Sequence, residues 1–457
     1  MGRKPRNMAA VLERLDELAT LVAELTKALE DSREENRQLR EQLDNAQRAS
    51  ARQAAPFRRR EAKKKDDDDK KRPGRKVGHK GTARKKPDQI DHEHEIRLDA
   101  CPDCGGAIHD VEKIVQYIEE IPPIRPVAHR VVTYQGRCDH CGEVRSTHPL
   151  QTSRRPGVQL GPRAAALAVG LNKHFNLTMR KTCRVLKNLL GLSLSPGGLS
   201  QMADRLADRA SGQYDRLIET IRGSPACNAD ETSWWVGGPG WWLWTFTTPS
   251  ATVYRVEESR ASKIVEETLG DDYQGVLGSD CLSSYNPIDC RKHKCIAHHL
   301  KAIKEAQTLP DSGRSDYLRQ WKLLLKSVVM FHRMAVRQEI DEATLADKRR
   351  HFEAWVDKLL AKPVVRCGEA KIKNRLAKQR PHLLTCLYDL HANPTNNAAE
   401  RALRPAVIAR KLSCGNKTLR GKRTWEILAS LAQSLHQQGQ DFIDHLAVHA
   451  KINAPAR

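Results

Sequence analysis

Cys227-Asn228-Ala229-Asp230-Glu231-Thr232-Ser233-Trp234-Trp235-Val236, then Gly237-Gly238-Pro239-Gly240, then Trp241-Trp242-Leu243-Trp244-Thr245-Phe246 reads as two β-strands joined by a turn. Aromatic and β-branched residues dominate both runs, and the glycine and proline between them fit a chain reversal. Outward from this hairpin, Thr252 to Val256 reads as a third strand and Arg260 to Leu269 as a helix. Gly275 to Leu277 reads as a short buried strand that delivers Asp280.

Strand, hairpin, helix and strand, with one aspartate at the first strand and another on the fourth, is the order of an α/β RNase H-like core. In that arrangement the two aspartate strands are neighbours, so Asp230 and Asp280 meet although 50 positions separate them. A third carboxylate lies in Asn396-Asn397-Ala398-Ala399-Glu400-Arg401. Carboxylates beside buried strands are costly unless paired, and a divalent cation is the usual partner. Three of them, gathered from distant segments, suit Mg²⁺ (or Mn²⁺) and phosphoryl chemistry. Local explanations compete: an aspartate often caps a strand end or turn. Asn397 to Glu400 has capping-box spacing, and Glu400 with Arg404 is an i,i+4 ion pair. Neither explains why Arg401, Arg404, Arg410 and Lys411 cluster near a helix start suited to a phosphodiester.

A chain of 457 residues is long for one domain, and a formal charge of +22 favours a polyanionic partner. A mean hydropathy of −0.63, with no apolar run of spanning length, argues against a membrane protein. No apolar signal core follows the basic start, so a cytoplasmic, nucleoid-associated protein is expected, its 12 cysteines serving as thiols or metal ligands.

Residues 8–50 keep a 3-4 apolar spacing through Met8, Val11, Leu15, Leu18, Val22, Leu25, Leu29 and onward to Leu43, which predicts a self-associating coiled coil. Asn36 falls on an a position, where a polar group can fix register. Residues 51–90 read as a basic linker: Arg58 to Lys86 holds 15 Lys or Arg against 5 acidic residues. Within it Arg75, Lys76 and Lys80 lie in a glycine-interrupted stretch that suits a phosphate backbone or a solvated tether.

Cys101-Pro102-Asp103-Cys104-Gly105-Gly106 and Cys138-Asp139-His140-Cys141-Gly142 are paired C-x-x-C knuckles 33 residues apart. That spacing predicts a structural Zn²⁺ held by Cys101, Cys104, Cys138 and Cys141 in a zinc-binding domain over 91–150, with β-rich patches from Val111 to Val132. Over 155–222, Ala164 to Phe175 reads as a partly buried helix. Thr178 caps a helix through about Leu190 that Gly191 stops, and Ser195 with Pro196 starts another through about Arg209. The pair reads as helix-turn-helix-like, with Arg180, Lys181, Arg184 and Lys187 as phosphate contacts, or as an ordinary helical hairpin.

Asn228 to Trp234, Gly278-Ser279-Asp280-Cys281-Leu282-Ser283-Ser284-Tyr285, and Thr395 to Pro405 resemble the three signature blocks of the IS66-type insertion-sequence transposases. The likeness covers nearly the whole chain, including the leading coiled coil, the basic linker, the zinc knuckles and the helices before Asp230. The resemblance implies a DDE transposase in which Asp230, Asp280 and Glu400 are the catalytic, metal-binding triad. Asn228 stands where the first block often carries His, and Cys414 where a glycine is usual. Cys295-Ile296-Ala297-His298 resembles the C-x-x-H element of many DDE enzymes, either as structural support beside the site or as a second metal site.

The 120 positions from Asp280 to Glu400 exceed a simple core, and residues 300–390 show helical periodicity, from Tyr317, Trp321 and Leu324 to Phe352, Val356 and Leu359. The expected organisation is therefore core residues 223–299, an α-helical insertion over 300–390, the rest of the core over 391–430, and a C-terminal helix and tail over 431–457. The expected function is cleavage of insertion-sequence ends and joining of the 3′-OH to target DNA. Its partners are double-stranded DNA, further copies of the chain and accessory proteins of the same element. The rivals are a metal-dependent nuclease that does not join, and a non-catalytic DNA-binding regulator or domesticated transposase.

Overall fold

The computed structural model describes residues 24–32, 34–36, 38–39, 84–309 and 315–452, and the chain divides into two units, Met1–Glu119 and Glu120–Arg457. In the first unit the described residues from 24 to 39 are helical, with Leu25, Leu29 and Leu39 exposed. The rest of the expected coiled coil over 8–50 lies outside the described residues, as do residues 51–83 with Arg75, Lys76 and Lys80. Residues 84–119 form neither helix nor strand. The first knuckle is a tight turn: Gly105 N–H donates to the Cys101 carbonyl at 2.9 Å, and Gly105 takes φ +72°, which glycine adopts without steric cost.

The second unit opens with a hairpin of β1 (Gln135–Cys138) and β2 (Gly142–Arg145), so the second knuckle sits in its turn. The β-rich reading of 111–132 is not realised. Those residues hold no strand, and Pro122, Pro123 and Pro126 remove the donors a ladder there needs.

Three helices follow: α1 (Pro162–Lys173), α2 (Met179–Leu190) and α3 (Pro196–Arg222). Helix α2 ends at Gly191 with φ +64°, as its sequence predicts. Helix α3 runs past the expected end near Arg209 because its buried face continues through Ala210, Leu217 and Ile221. Ser211-Gly212 resembles a break, but packing on that face overrides it.

The sheet then forms from β3 (Ala226–Trp234), β4 (Trp241–Thr247), β5 (Thr252–Glu257), β6 (Val276–Ser279) and β7 (Arg291–Lys294), with α4 (Lys263–Leu269) between β5 and β6. The spatial order is β5-β4-β3-β6-β7; β3 is antiparallel to β4 and parallel to β6. One face packs Cys227, Ala229 and Leu277 into a core with α1, α3, α11 (Leu419–Gln437) and α12 (Phe442–Ala450). Because side chains alternate along β3, Asn228 and Asp230 point to the opposite face.

Helices α5 (Ile296–Ala306), α6 (Asp316–Val336), α7 (Glu342–Ala361), α8 (Cys367–Lys378) and α9 (Thr385–Tyr388) lie between β7 and the carboxylate helix α10 (Asn397–Ser413). They share a second core around Trp321, Leu325, Phe352 and Val356, all nearly inaccessible.

Strand β5 is an edge, and α11 completes its ladder. Ser434 Oγ and Ser430 Oγ accept from the N–H groups of Thr252 and Tyr254 at 2.9 Å, and Glu426 accepts from Val256. The i, i+4, i+8 spacing on α11 matches every second residue of the strand, so polar side chains close an edge that would otherwise recruit other strands. Burial pushes the Glu426 carboxyl up to about 7.

Candidate active site

Strand register brings two of the carboxylates together. Asn228 pairs with Gly278 across the parallel β3–β6 ladder, and Asp230 and Asp280 each lie two residues further on. An offset of two keeps both side chains on one face and at one level. A Cβ at Gly278 would come 2.5 Å from Asn228 Nδ2, so any larger residue there would displace that amide.

Glu400 arrives through Asn396. This buried residue is the N-cap of α10, but its side chain makes no cap. Instead Asn396 Nδ2 donates to the Ala229 carbonyl at 2.8 Å, and its Oδ1 accepts from Asn228 Nδ2 at 3.0 Å. Its own N–H donates to Cys295 Sγ at 3.0 Å. The helix start is thereby fastened to the backbone beside Asp230 and to the head of α5. The capping-box reading of Asn397 with Glu400 fails, since the helix begins one residue earlier, and among the described residues Arg404 does not pair with Glu400. Glu400 Oε1 lies 4.0 Å from His298 Nε2. Contact with the Cys295 thiol raises the His298 pKa, and the charges of Asp280 and Glu400 add to it. Cys295 and His298 thus lie at the site, tying β7 and α5 to α10.

Electrostatics separate the adjacent acids of β3. Glu231 is paired: its carboxylate meets the Arg260 guanidinium and accepts from Tyr285 Oη at 2.7 Å. Asp230 accepts only the Glu231 N–H, at 3.0 Å. Burial, then the charges of Glu231, Asp280 and Glu400, push its carboxyl up to about 7. Asp280 accepts the Leu282 N–H at 2.7 Å, which leaves its second oxygen free for a ligand. Among the described residues no group of three or more His, Cys, Asp or Glu side chains is arranged to hold a metal ion. Asp280 and Glu400 are nevertheless close enough to Asp230 to disfavour its charge. Hard oxygen donors that form no ion pair with Lys or Arg among the described residues fit a divalent cation such as Mg²⁺.

The basic residues divide. Arg180, Lys181 and Arg184 on α2 are exposed, and Arg184 and Lys187 line an open groove of about 690 Å³ that ends at Ser195, the α3 cap. Arg401, Arg404 and Lys411 are exposed, and Arg401 borders a separate polar cleft of about 490 Å³ with Asn393, His436 and Gln437. Arg410 is engaged inside the chain, donating to Thr232 Oγ1 at 3.1 Å and Ser233 Oγ at 3.0 Å. Arg375 of α8 is likewise spent, on Cys281 Sγ at 3.2 Å and His299 Nδ1 at 3.3 Å. From the sequence alone, Lys371, Lys373, Arg375 and Lys378 read as lining DNA or as a solvated face, since one-dimensional periodicity does not reveal that α8 folds back on the Asp280 loop.

At the knuckles, backbone N–H groups of Cys104 and Asp103 hold the Cys101 thiol below its ordinary pKa, and those of Cys141 and His140 do the same for Cys138. Each turn therefore favours a thiolate, the form that binds zinc.

Two histidines beneath the site are kept neutral. Burial pushes His293 down to about 4 and His299 down to about 3. Both bind protons more readily when unfolded, near the ordinary 6.5, so their stabilisation is complete above 6.5 and is lost as pH falls toward 4. Between pH 7.5 and 5, His293 alone is expected to cost the wild type about 2 kcal/mol relative to His293→Leu. Urea unfolding of both proteins at the two pH values checks this.

Residues 157–424 match the Transposase IS66 family. The chain is also 26% identical over 293 residues to the uncharacterized protein y4qI of Sinorhizobium fredii (strain NBRC 101917 / NGR234), covering 56% of this chain and 53% of that protein. The uncharacterized protein y4jD of the same strain is 23% identical over 381 residues, 76% of this chain and 73% of y4jD. Thus the match spans about half of y4qI and nearly three quarters of y4jD. The family match takes in β3, β6 and the start of α10, the elements that carry Asp230, Asp280 and Glu400. The chain belongs to the IS66 transposase family.

Proposed function

We propose that the protein is a DDE transposase that cuts insertion-sequence ends and joins the resulting 3′-OH to target DNA. The observation that carries this reading is the approach of Asp280 and Glu400 to Asp230 from three distant segments, none of the three forming an ion pair with a Lys or Arg side chain among the described residues. The strand order β5-β4-β3-β6-β7, with β3 parallel to β6, supports an RNase H-like core whose helical insertion is α5–α9.

Asp230, Asp280 and Glu400 are the residues that would hold Mg²⁺ or Mn²⁺. Bound there, such ions supply charge stabilisation to an in-line phosphoryl displacement and activate the attacking water or 3′-OH. Asn396 orients Glu400 by fixing the first turn of α10. Arg401 and Arg404, on the same helix, attract the DNA backbone, and the α2 residues Arg180, Lys181 and Arg184 bind phosphates farther along the duplex. Phosphate contacts of this kind position DNA without reading sequence.

Zinc on Cys101, Cys104, Cys138 and Cys141, self-association through residues 8–50, and DNA contacts from Arg75, Lys76 and Lys80 complete the proposal. The lowered thiol pKa values support the zinc assignment, and the exposed leucines of the described N-terminal helix support the second. The test is Mg²⁺-dependent strand transfer from labelled element ends, which separates joined, merely cut and intact bound DNA.

A further inference from the structure

Lys294 is among the largest fully buried side chains of the protein, with no measurable exposure. It ends β7, directly opposite Ser279 in the parallel β6–β7 ladder. Its ammonium donates to Ser279 Oγ at 3.0 Å, and among the described residues it forms no ion pair. It also lies 5.5 Å from the centroid of the Tyr285 ring, whose hydroxyl holds Glu231. A buried ammonium with three donors and so few partners is costly, and an apolar side chain of the same length would pack there without that cost. Something must draw on its charge.

The candidate is one residue away. Ser279 Oγ, which accepts from Lys294, donates in turn to the Asp280 carbonyl at 3.0 Å. The hydrogen-bond chain therefore runs from Lys294 through Ser279 to the backbone of Asp280. Burial lowers the Lys294 pKa, and Cys281 and then Asp280 are the groups that most oppose that shift. On the far side of Asp280, Cys281 is held by Arg375. Two cations thus grip the residues flanking Asp280 without touching its carboxylate, and its free oxygen stays available. The Asp280 carboxylate is a ligand in the reading above, on which this inference rests.

We propose that Lys294 is a positioning residue that serves as the buried counter-charge of the carboxylate site. It lets Asp230, Asp280 and Glu400 stay together without a cation and lowers their affinity for one. Cation loading then depends on the negative charge that a DNA phosphate brings, so the site is activated where its substrate is bound. In a low-dielectric interior a unit charge acts strongly over several ångströms, and its removal should tighten divalent binding roughly tenfold.

The test is titration of the full-length protein with Mn²⁺, without DNA, for wild type, Lys294→Met and Lys294→Gln. Tighter Mn²⁺ binding by Lys294→Met, by about tenfold, is the expected result. A merely structural lysine gives the opposite sign, because a distorted site binds the ion more weakly. Unchanged or weaker binding in a folded variant overturns the inference. Lys294→Gln keeps a donor for Ser279 Oγ and is read the same way if Lys294→Met does not fold. Absence of Mn²⁺ binding to all three proteins, both without DNA and with element-end DNA added, overturns the carboxylate reading itself, whereas equal DNA-free binding to all three overturns only the role of Lys294.

Discussion

Replacing Asp230 with asparagine is expected to abolish cleavage and joining while making the metal-free protein more stable. The two effects share a cause. Asp230 sits near three further carboxylates, Glu231, Asp280 and Glu400, with only a backbone N–H to satisfy it, and its carboxyl is raised to about 7. An acid that titrates higher in the fold than in the unfolded chain destabilises the fold increasingly as pH rises from about 4 to 7. Asparagine removes that penalty. At pH 8 the gain should be on the order of 2 kcal/mol, after discounting for a side chain partly open to solvent. Activity should fall roughly 10³-fold or more, since an ion ligand acting in the transition state is worth several kcal/mol at about 1.4 per tenfold. Glu231→Gln should show the reverse pattern in stability, losing about 1–3 kcal/mol with its Arg260 partner left uncompensated. Thermal unfolding of both variants beside wild type measures the contrast. Destabilisation by Asp230→Asn would mark the carboxylate as a structural group.

Asn396→Ala is the second large change. It deletes two buried hydrogen bonds, one from Asn228 Nδ2 and one to the Ala229 carbonyl. At about 1–3 kcal/mol for each unsatisfied buried group, the expected loss is about 2–4 kcal/mol. Since the same bonds fix the helix that carries Glu400, activity measured well below the unfolding temperature should also fall about 100-fold. Asn397→Ala, at the exposed next position, should stay within about 0.5 kcal/mol of wild type. Equal effects at the two positions would mean that Asn396 does not anchor the helix.

The hairpin at Trp234 to Trp241 and the strands at Thr252 and Val276 follow from β-branched and aromatic runs broken by Gly-Gly-Pro-Gly, signals carried within a few residues. Helix α2 likewise announces both of its ends, at Thr178 and Gly191. The site was less legible because its supports are long-range. Asn396 looks like a capping residue in sequence, and only packing shows its amide reaching 167 residues back to Ala229. Arg410 and Arg375 look like DNA contacts because charge patterning cannot distinguish a solvated guanidinium from one bonded to Ser233 or Cys281. Lys294 gave no signal, since a lysine in Arg291-Lys292-His293-Lys294 reads as one more surface charge. The Cys414 departure does have a visible consequence. It ends α10 at φ +59°, a left-handed conformation that glycine adopts more easily, followed by Gly415 pressed against the Trp235 backbone.

The measurement closest to the central claim is strand transfer by full-length wild type and Asp280→Ala on labelled element ends with Mg²⁺. Joined product from wild type and none from Asp280→Ala, with DNA binding retained by both, is the predicted result. Joined product from Asp280→Ala would contradict a catalytic centre built on Asp230, Asp280 and Glu400.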